Sequence, residues 1–209
     1  MTHIGKLILA SASPRRRDML RHLGIEPVVV TSQANEDIDA ATPEQAVMAL
    51  AKRKAEAVKA ALARPSKSGK SYLDEHDTII AADTIVVSPD GELMGKPENR
   101  EDAARMLYAL QGREHRVISG ICVIRGDKTE TACETTYVSF AHMGDDVIRA
   151  YVDSGEGDDK AGSYGVQDTA SLWIQGLRGD YFNVVGLPLH RLETLLNQHF
   201  ALSLLNFRE

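Results

Sequence analysis

The stretch Leu7-Ile-Leu-Ala-Ser-Ala-Ser-Pro-Arg-Arg-Arg17 takes a short apolar run directly into a proline-led helix whose first turn carries three arginines. A strand ending at Ala10 and a helix beginning at Pro14 leave Ser11 and Ser13 on the turn between them. Ser13 is placed to cap, and proline suits the first helical position because its missing N–H would have no partner there. Backbone N–H groups at a helix start, together with the positive end of its dipole, favour an anion. Arg15 and Arg16 add forked donors of permanent charge. Like charges crowd unfavourably at a helix N-terminus, so three arginines there call for a negatively charged ligand.

Working outward, Pro14 to Leu23 reads as a helix stopped by Gly24, and Pro27 to Thr31 as a second strand that leads into the acidic loop Asn35-Glu-Asp-Ile-Asp39. Thr42-Pro43-Glu44 opens a long helix with the apolar stripe Val47, Leu50, Ala51, Ala55, Val58, Ala61 and Leu62, and Lys54 lies along the same face. A lysine there usually carries its ammonium to the rim. Residues 65–77 form a polar linker in which Gly69-Lys70-Ser71 mimics the end of a P-loop, but Arg64 stands where the upstream glycine belongs and a helix precedes the loop. Thr78 to Val87 is a strand apolar enough to be covered on both faces, interrupted only by Asp83 and Thr84. A turn at Pro89-Asp-Gly91 and the segment Gly95-Lys-Pro97 lead to a helix capped by Asn99, with stripe Ala103, Met106, Leu107 and Leu110. Arg116 to Arg125 and Thr131 to Ala141 read as a hairpin about Gly126-Asp-Lys128. A short helix over Asp145 to Val152 and a glycine-rich loop over Ser154 to Gln167 follow. An apolar run at Phe182 to Val185 then precedes a closing helix with stripe Leu189, Leu192, Leu195 and Leu196. Helices alternating with strands, plus a hairpin, predict an α/β fold with a mixed, twisted sheet and flanking helices.

Composition narrows the function. With 209 residues, 43% of them hydrophobic, the chain can bury its core as one domain over 1–209. A net charge of −6 argues against nucleic acid or an anionic membrane as partner, yet basic residues gather around Arg15–Arg21, Lys52–Lys54 and Lys67–Lys70. A local basic patch on an acidic chain fits a small anion. No run approaches the roughly 18 apolar residues of a membrane helix, and none resembles a signal-peptide core, so the expectation is a soluble cytoplasmic protein. Cys122 and Cys133 are too few for a disulfide framework and fit two neighbouring strands. The seven histidines show no metal-binding spacing, and no nucleophile elbow appears.

Asp83 is the sharpest single residue. A carboxylate inside an apolar strand costs several kcal/mol without compensation, from a metal ion, a lysine or a polarised water. The acidic loop holding Glu36, Asp37 and Asp39 could add a second carboxylate for Mg²⁺, which takes one or two of them plus phosphate oxygens and water. Cations at positions 15, 16, 54 and 96 with carboxylates at 36 and 83 equip a chain for phosphoryl or nucleotidyl chemistry by positioning and electrostatics.

Six ordered stretches, Ser11-Ala-Ser-Pro-Arg-Arg16, Arg53-Lys-Ala55, Ala82-Asp-Thr-Ile-Val86, Gly95-Lys-Pro97, Asp159-Lys-Ala-Gly162 with Tyr164-Gly-Val-Gln167, and Val184-Val-Gly-Leu-Pro188, resemble the Maf family of nucleoside triphosphate pyrophosphatases over nearly the whole chain. The resemblance implies an inosine triphosphatase-like fold of two lobes around a cleft. It also implies Mg²⁺- or Mn²⁺-dependent hydrolysis of a nucleoside triphosphate to the monophosphate and pyrophosphate. It assigns Arg15, Arg16, Lys54 and Lys96, with Ser11 and Ser13, to substrate phosphates. Glu36 and Asp83 would hold the metal, with Asp37 and Asp39 as neighbours that could replace Glu36, and Asp83 would be the general base. Arg15, Thr84 and Gln167 stand at the family's specificity positions and resemble the dTTP/UTP branch; the 7-methyl-GTP branch carries tryptophan at the first and glutamate at the last. A homodimer is common among such relatives. A second reading from the same resemblance is a nucleotide-binding regulator of septum formation in which hydrolysis is incidental.

Overall fold

The computed structural model describes residues 4–32, 34, 40–64 and 71–208. The chain opens with β1 (Leu7–Leu9), α1 (Pro14–His22), β2 (Val28–Val29) and α2 (Pro43–Ala63). β3 (Thr78–Val87), β4 (Leu93–Met94) and α3 (Arg100–Leu110) lead to the long strands β5 (Glu114–Arg125) and β6 (Lys128–Phe140). α4 (Asp145–Ser154), β7 (Ile174–Arg178), α5 (Tyr181–Val185) and α6 (Leu189–Phe200) complete it. Among the described residues the seven strands form one sheet in the order β2-β1-β3-β5-β6-β7, with β4 on β3. β1 pairs in parallel with β2 and with β3, whereas β3–β4 and β6–β7 are antiparallel, so the sheet is mixed as expected. The parallel neighbours follow from the helical crossovers, since parallel strands cannot be joined by a tight turn.

Local signals in the sequence account for most element ends. Thr42 Oγ1 accepts the Gln45 N–H at 3.2 Å and Asn99 Oδ1 accepts the Asp102 N–H at 2.8 Å, each satisfying a helix-start donor. α1 ends where Gly24 adopts φ +76°. The expected stripes of α3 and α6 are the buried residues of those helices. Other expectations shift. The second strand shrinks from Pro27–Thr31 to Val28–Val29, whose side chains are exposed at the sheet edge. The hairpin closes through two residues, Gly126 and Asp127, and its strands run longer than expected. β7 was not foreseen: its sequence, Ile-Gln-Gly-Leu-Arg, has neither clean alternation nor a buried face. The P-loop mimic at Gly69-Lys70 lies outside the described residues.

The chain divides into two compact units that interleave along the sequence. The first comprises Met1–Asp83, Gly120–Cys133 and Gly186–Glu209, the second Thr84–Ser119 and Glu134–Val185. In the first, Ile8, Ile79, Ala81, Cys122 and Ile124 of the strands, with Ala10 just beyond β1, bury against Ala51, Ala55 and Val58 of α2. A Cβ at Gly120 would come within 2.4 Å of the Val47 carbonyl, so only glycine lets α2 lie this close to β5. In the second unit Val86, Val117, Val138 and Phe140 bury against Met106, Leu107 and Leu110 of α3 and Ile148 and Tyr151 of α4. Among the described residues neither cysteine forms a disulfide, and burial pushes the Cys122 thiol up to about 12, which leaves it a small core hydrophobe. Among the described residues no helix is long and apolar enough to cross a membrane.

Candidate functional site

The turn between β1 and α1 is built differently from the simplest reading of its sequence. Ser13 does occupy the N-cap position, with extended backbone (φ −69°, ψ 117°), but its side chain makes no capping bond. Its N–H donates to Ser11 Oγ at 3.1 Å, which closes a short serine turn ahead of the helix. Ser11 is buried and also accepts from Arg16 Nη1 at 3.2 Å. Arg16 is therefore no solvated arginine. Its Nη1 donates to the Ala82 carbonyl and its Nε to the Gly186 carbonyl, both at 2.7 Å. One planar guanidinium thus ties three of the family-like stretches together, at Ser11, Ala82 and Gly186, an arrangement that a lysine's single ammonium cannot reproduce. Arg15, its neighbour in the first turn, is half-buried.

One residue beyond Ala82, Asp83 finds the compensation its strand demands. Lys54 Nζ lies 2.6 Å from Asp83 Oδ1, and the two side chains are only 16% and 13% exposed. The lysine on the apolar face of α2 does not reach for solvent; it reaches β3. Two cationic groups, from α1 and α2, thereby meet β3 at consecutive residues. Glu36, Asp37 and Asp39 lie outside the described residues, and among the described residues no group of three acidic, histidine or cysteine side chains is assembled for a metal. The hard carboxylate of Asp83 suits Mg²⁺ or Mn²⁺, which complete their shells largely with substrate phosphate oxygens and water rather than an all-protein cage.

The second unit holds Thr84, Lys96 and Gln167. Thr84 Oγ1 lies 2.8 Å from Ser119 Oγ, and Ser119 is joined to Asn183 twice: its N–H donates to Asn183 Oδ1 at 3.1 Å and its hydroxyl to the Asn183 carbonyl at 3.0 Å. Asn183 Nδ2 donates to the Val117 carbonyl and to Thr136 Oγ1, which in turn donates to the Asp180 carbonyl. Lys96 and Gln167 are exposed. The Gly95 carbonyl beside Lys96 accepts the Gly162 N–H at 3.0 Å, and Gly162 has φ +67° with no room for a Cβ against Val86. The Gly95-Lys-Pro97 and Asp159-Lys-Ala-Gly162 stretches are thus one backbone structure. Lys160 bridges Asp159 at 2.8 Å and Asp168 at 3.0 Å, which pins the loop on either side of Gln167. Tyr164 donates its bulk to an aromatic cluster with Phe140 and His115, whose Nε2 lies 2.7 Å from Tyr164 Oη. Burial pushes His115 down to about 4, so its ring is neutral near pH 7.

Ser119, Asn183 and Lys160 did not emerge from the sequence as site residues. Ser119 and Asn183 carry the signal that singled out Asp83: each is a polar residue inside an apolar run, and each is fully buried.

Residues 6–199 match the family model described as Maf-like protein. A dTTP/UTP pyrophosphatase of Symbiobacterium thermophilum is 44% identical over 194 residues, 92% of this chain and 93% of that protein. One from Bacillus thuringiensis is 41% identical over 194 residues, 92% and 95% of the two chains. One from Thermococcus kodakarensis is 42% identical over 183 residues, 88% and 91%. Among solved structures, that of the Staphylococcus aureus Ham1 protein covers 66% of this chain and 72% of its own, with 16% identity and a TM-score of 0.44.

Proposed function

The chain belongs to the Maf family, and from that premise we propose that it hydrolyses nucleoside triphosphates, dTTP and UTP in preference, to the monophosphate and pyrophosphate. The observation that carries this reading is the Lys54–Asp83 pair beside the Arg16 clamp on Ala82. A triphosphate needs cations that do not titrate away, and a water attacking phosphorus needs a carboxylate to orient it. With Oδ1 held by Lys54, Asp83 Oδ2 is the oxygen that takes the proton of the attacking water. The oxygen–phosphorus bond forms at the α-phosphate, the bond to the bridging oxygen breaks, and pyrophosphate leaves with that electron pair. Arg15, Arg16 and Lys54 bind and orient phosphate oxygens, and Lys96 has the same role. Asp83, with Glu36 as second ligand, would hold a Mg²⁺ or Mn²⁺ ion that neutralises charge developing on the phosphates.

Thr84 and Gln167 are proposed to read the base. A pyrimidine edge offers few hydrogen-bonding groups, and a hydroxyl or amide rejects a misfit when it is left unpaired. Cytoplasmic location fits such a substrate. A panel of nucleoside triphosphates with Mg²⁺ or Mn²⁺ tests the reading: pyrophosphate is expected as first product, fastest from dTTP and UTP, with loss of turnover in excess EDTA. Orthophosphate as first product overturns it.

A further inference from the structure

We infer that Lys160 governs base selection at one remove, because its ion pair with Asp168 fixes the turn that presents Gln167. The inference rests on the proposed reading in which Gln167 faces the base.

Gln167 is the exposed third residue of a four-residue turn, Gly165 to Asp168, which the Asp168 N–H closes on the Gly165 carbonyl at 3.2 Å. An exposed side chain is aimed by the backbone that carries it, and reading a base edge requires that aim to be settled before the substrate arrives. Lys160 supplies the hold. Its side chain is only 12% exposed, and its Nζ lies 3.0 Å from Asp168 Oδ2 and 2.8 Å from Asp159 Oδ1 and donates to the Glu156 carbonyl as well. Asp168 Oδ2 is itself buried, so the ammonium is the charge that compensates it. The pair also lies directly over the first residue of the turn. A Cβ on Gly165 would collide with Asp168 Oδ2 and come within 2.7 Å of Lys160 Cε. Lys160 thus engages both ends of the turn, the backbone of Gly165 and the side chain of Asp168, with Gln167 between them. Beyond the turn, the Glu156 carboxylate accepts the Thr169 N–H at 3.0 Å and the Thr169 hydroxyl at 2.8 Å, so one short segment, 156–160, secures the chain before and after Gln167. The intervening Ser163 is buried with φ +60°, a conformation that a non-glycine residue keeps only where its surroundings over-determine it. All of these residues belong to the second unit. Without the lysine, the Asp168 carboxylate is an uncompensated charge that turns toward water, and Gln167, one peptide away, moves with it. Lys160 is a positioning residue that acts through Asp168.

The test is the ratio of kcat/KM for UTP to that for GTP, measured with Mg²⁺ in the full chain and in its Lys160→Met, Asp168→Asn, Gly165→Ala and Gln167→Ala variants, with thermal unfolding to confirm folding. Lys160→Met is expected to lower the ratio about tenfold or more, through a higher KM for UTP with kcat nearly kept, as a displaced amide no longer pairs with the pyrimidine edge. Because Lys160 and Asp168 act as one, the Lys160→Met/Asp168→Asn double variant is expected to fall no further than Lys160→Met alone, and additive falls overturn the inference. Gly165→Ala keeps every charge and asks for no left-handed backbone, yet its methyl group drives the pair apart, so the ratio is expected to fall in the same direction. If Lys160→Met does not fold, Gly165→Ala decides, and an unchanged ratio there overturns the inference. A merely structural Lys160 would depress both nucleotides equally. A lysine acting by its charge on the phosphates would raise both KM values equally and weaken inhibition by inorganic tripolyphosphate. Either result overturns the inference. An unchanged ratio in Gln167→Ala removes the base-reading role of Gln167 and the inference with it, whereas a lowered ratio there beside an unchanged one in Lys160→Met overturns the inference alone.

Discussion

Lys54 Nζ and Asp83 Oδ1 stand 2.6 Å apart, joining α2 to the middle of β3 with both side chains largely withdrawn from solvent. The pair explains how an aspartate persists in a strand whose other residues are almost all apolar, and it joins the two groups to which the proposed hydrolysis gives roles. Removing one partner leaves the other as an uncompensated buried charge, a loss of about 3 kcal/mol or more, whereas removing both is far milder. Thermal or urea unfolding of Lys54→Met, Asp83→Asn and the double variant should therefore show strong coupling, with the double variant more stable than the sum of the singles. Additive losses would mean that the two groups do not interact.

Asp83→Asn separates turnover from binding. Loss of a general base is expected to lower kcat by about 10²- to 10⁴-fold, while calorimetric titration with a non-hydrolysable triphosphate still shows binding. An enzyme behaves in this way; a regulator in which hydrolysis is incidental keeps its cellular effect in the same variant, so the variant also discriminates against the septum-inhibition reading.

Arg16→Lys keeps the charge and loses the fork that reaches Ser11 Oγ, Ala82 O and Gly186 O. Two carbonyls then lose charge-assisted donors, so stability should fall by about 1–3 kcal/mol and KM for the triphosphate should rise, because the β1–α1 turn is no longer tied to β3. An arginine that served only as a diffuse charge would be replaced without effect on the melting temperature.

His115 gives the fold a pH dependence. Its folded value, about 4, lies below the ordinary 6.5, so the unfolded chain binds the proton more readily. The contribution is complete above pH 6.5, is lost progressively as pH falls toward 4, and amounts to about 3 kcal/mol at most. Replacing His115 with phenylalanine should flatten the melting temperature between pH 6.5 and 4 relative to the parent. An equally steep fall in the variant would assign that dependence to carboxylates alone.

Much of this was legible in the sequence because the signals were local. Asn99 and Thr42 sit three residues from the N–H groups they cap, and the leucines of α6 repeat at helical spacing. Asp83 stood out because polarity inside an apolar strand is costly wherever the strand lies. What the sequence withheld was the identity of partners distant along the chain. Arg16 and Gly186 are 170 residues apart, Ser119 and Asn183 64, and nothing local marks them as bonded. Ser13 shows the limit of a local pattern: a serine before a helix-opening proline satisfies the cap pattern, yet its side chain makes no capping bond. β7 escaped because an exposed edge strand with a central glycine shows neither alternation nor an apolar run.

Hydrolysis of UTP in H₂¹⁸O, with the two products separated and weighed by mass spectrometry, distinguishes the phosphorus at which water attacks, proposed here to be the α-phosphorus with Asp83 as base. One atom of ¹⁸O in the nucleoside monophosphate and none in pyrophosphate is the expected result. Label in the pyrophosphate, with unlabelled monophosphate, would place the attack at the β-phosphate and contradict the assignment of Asp83 to the α-phosphate.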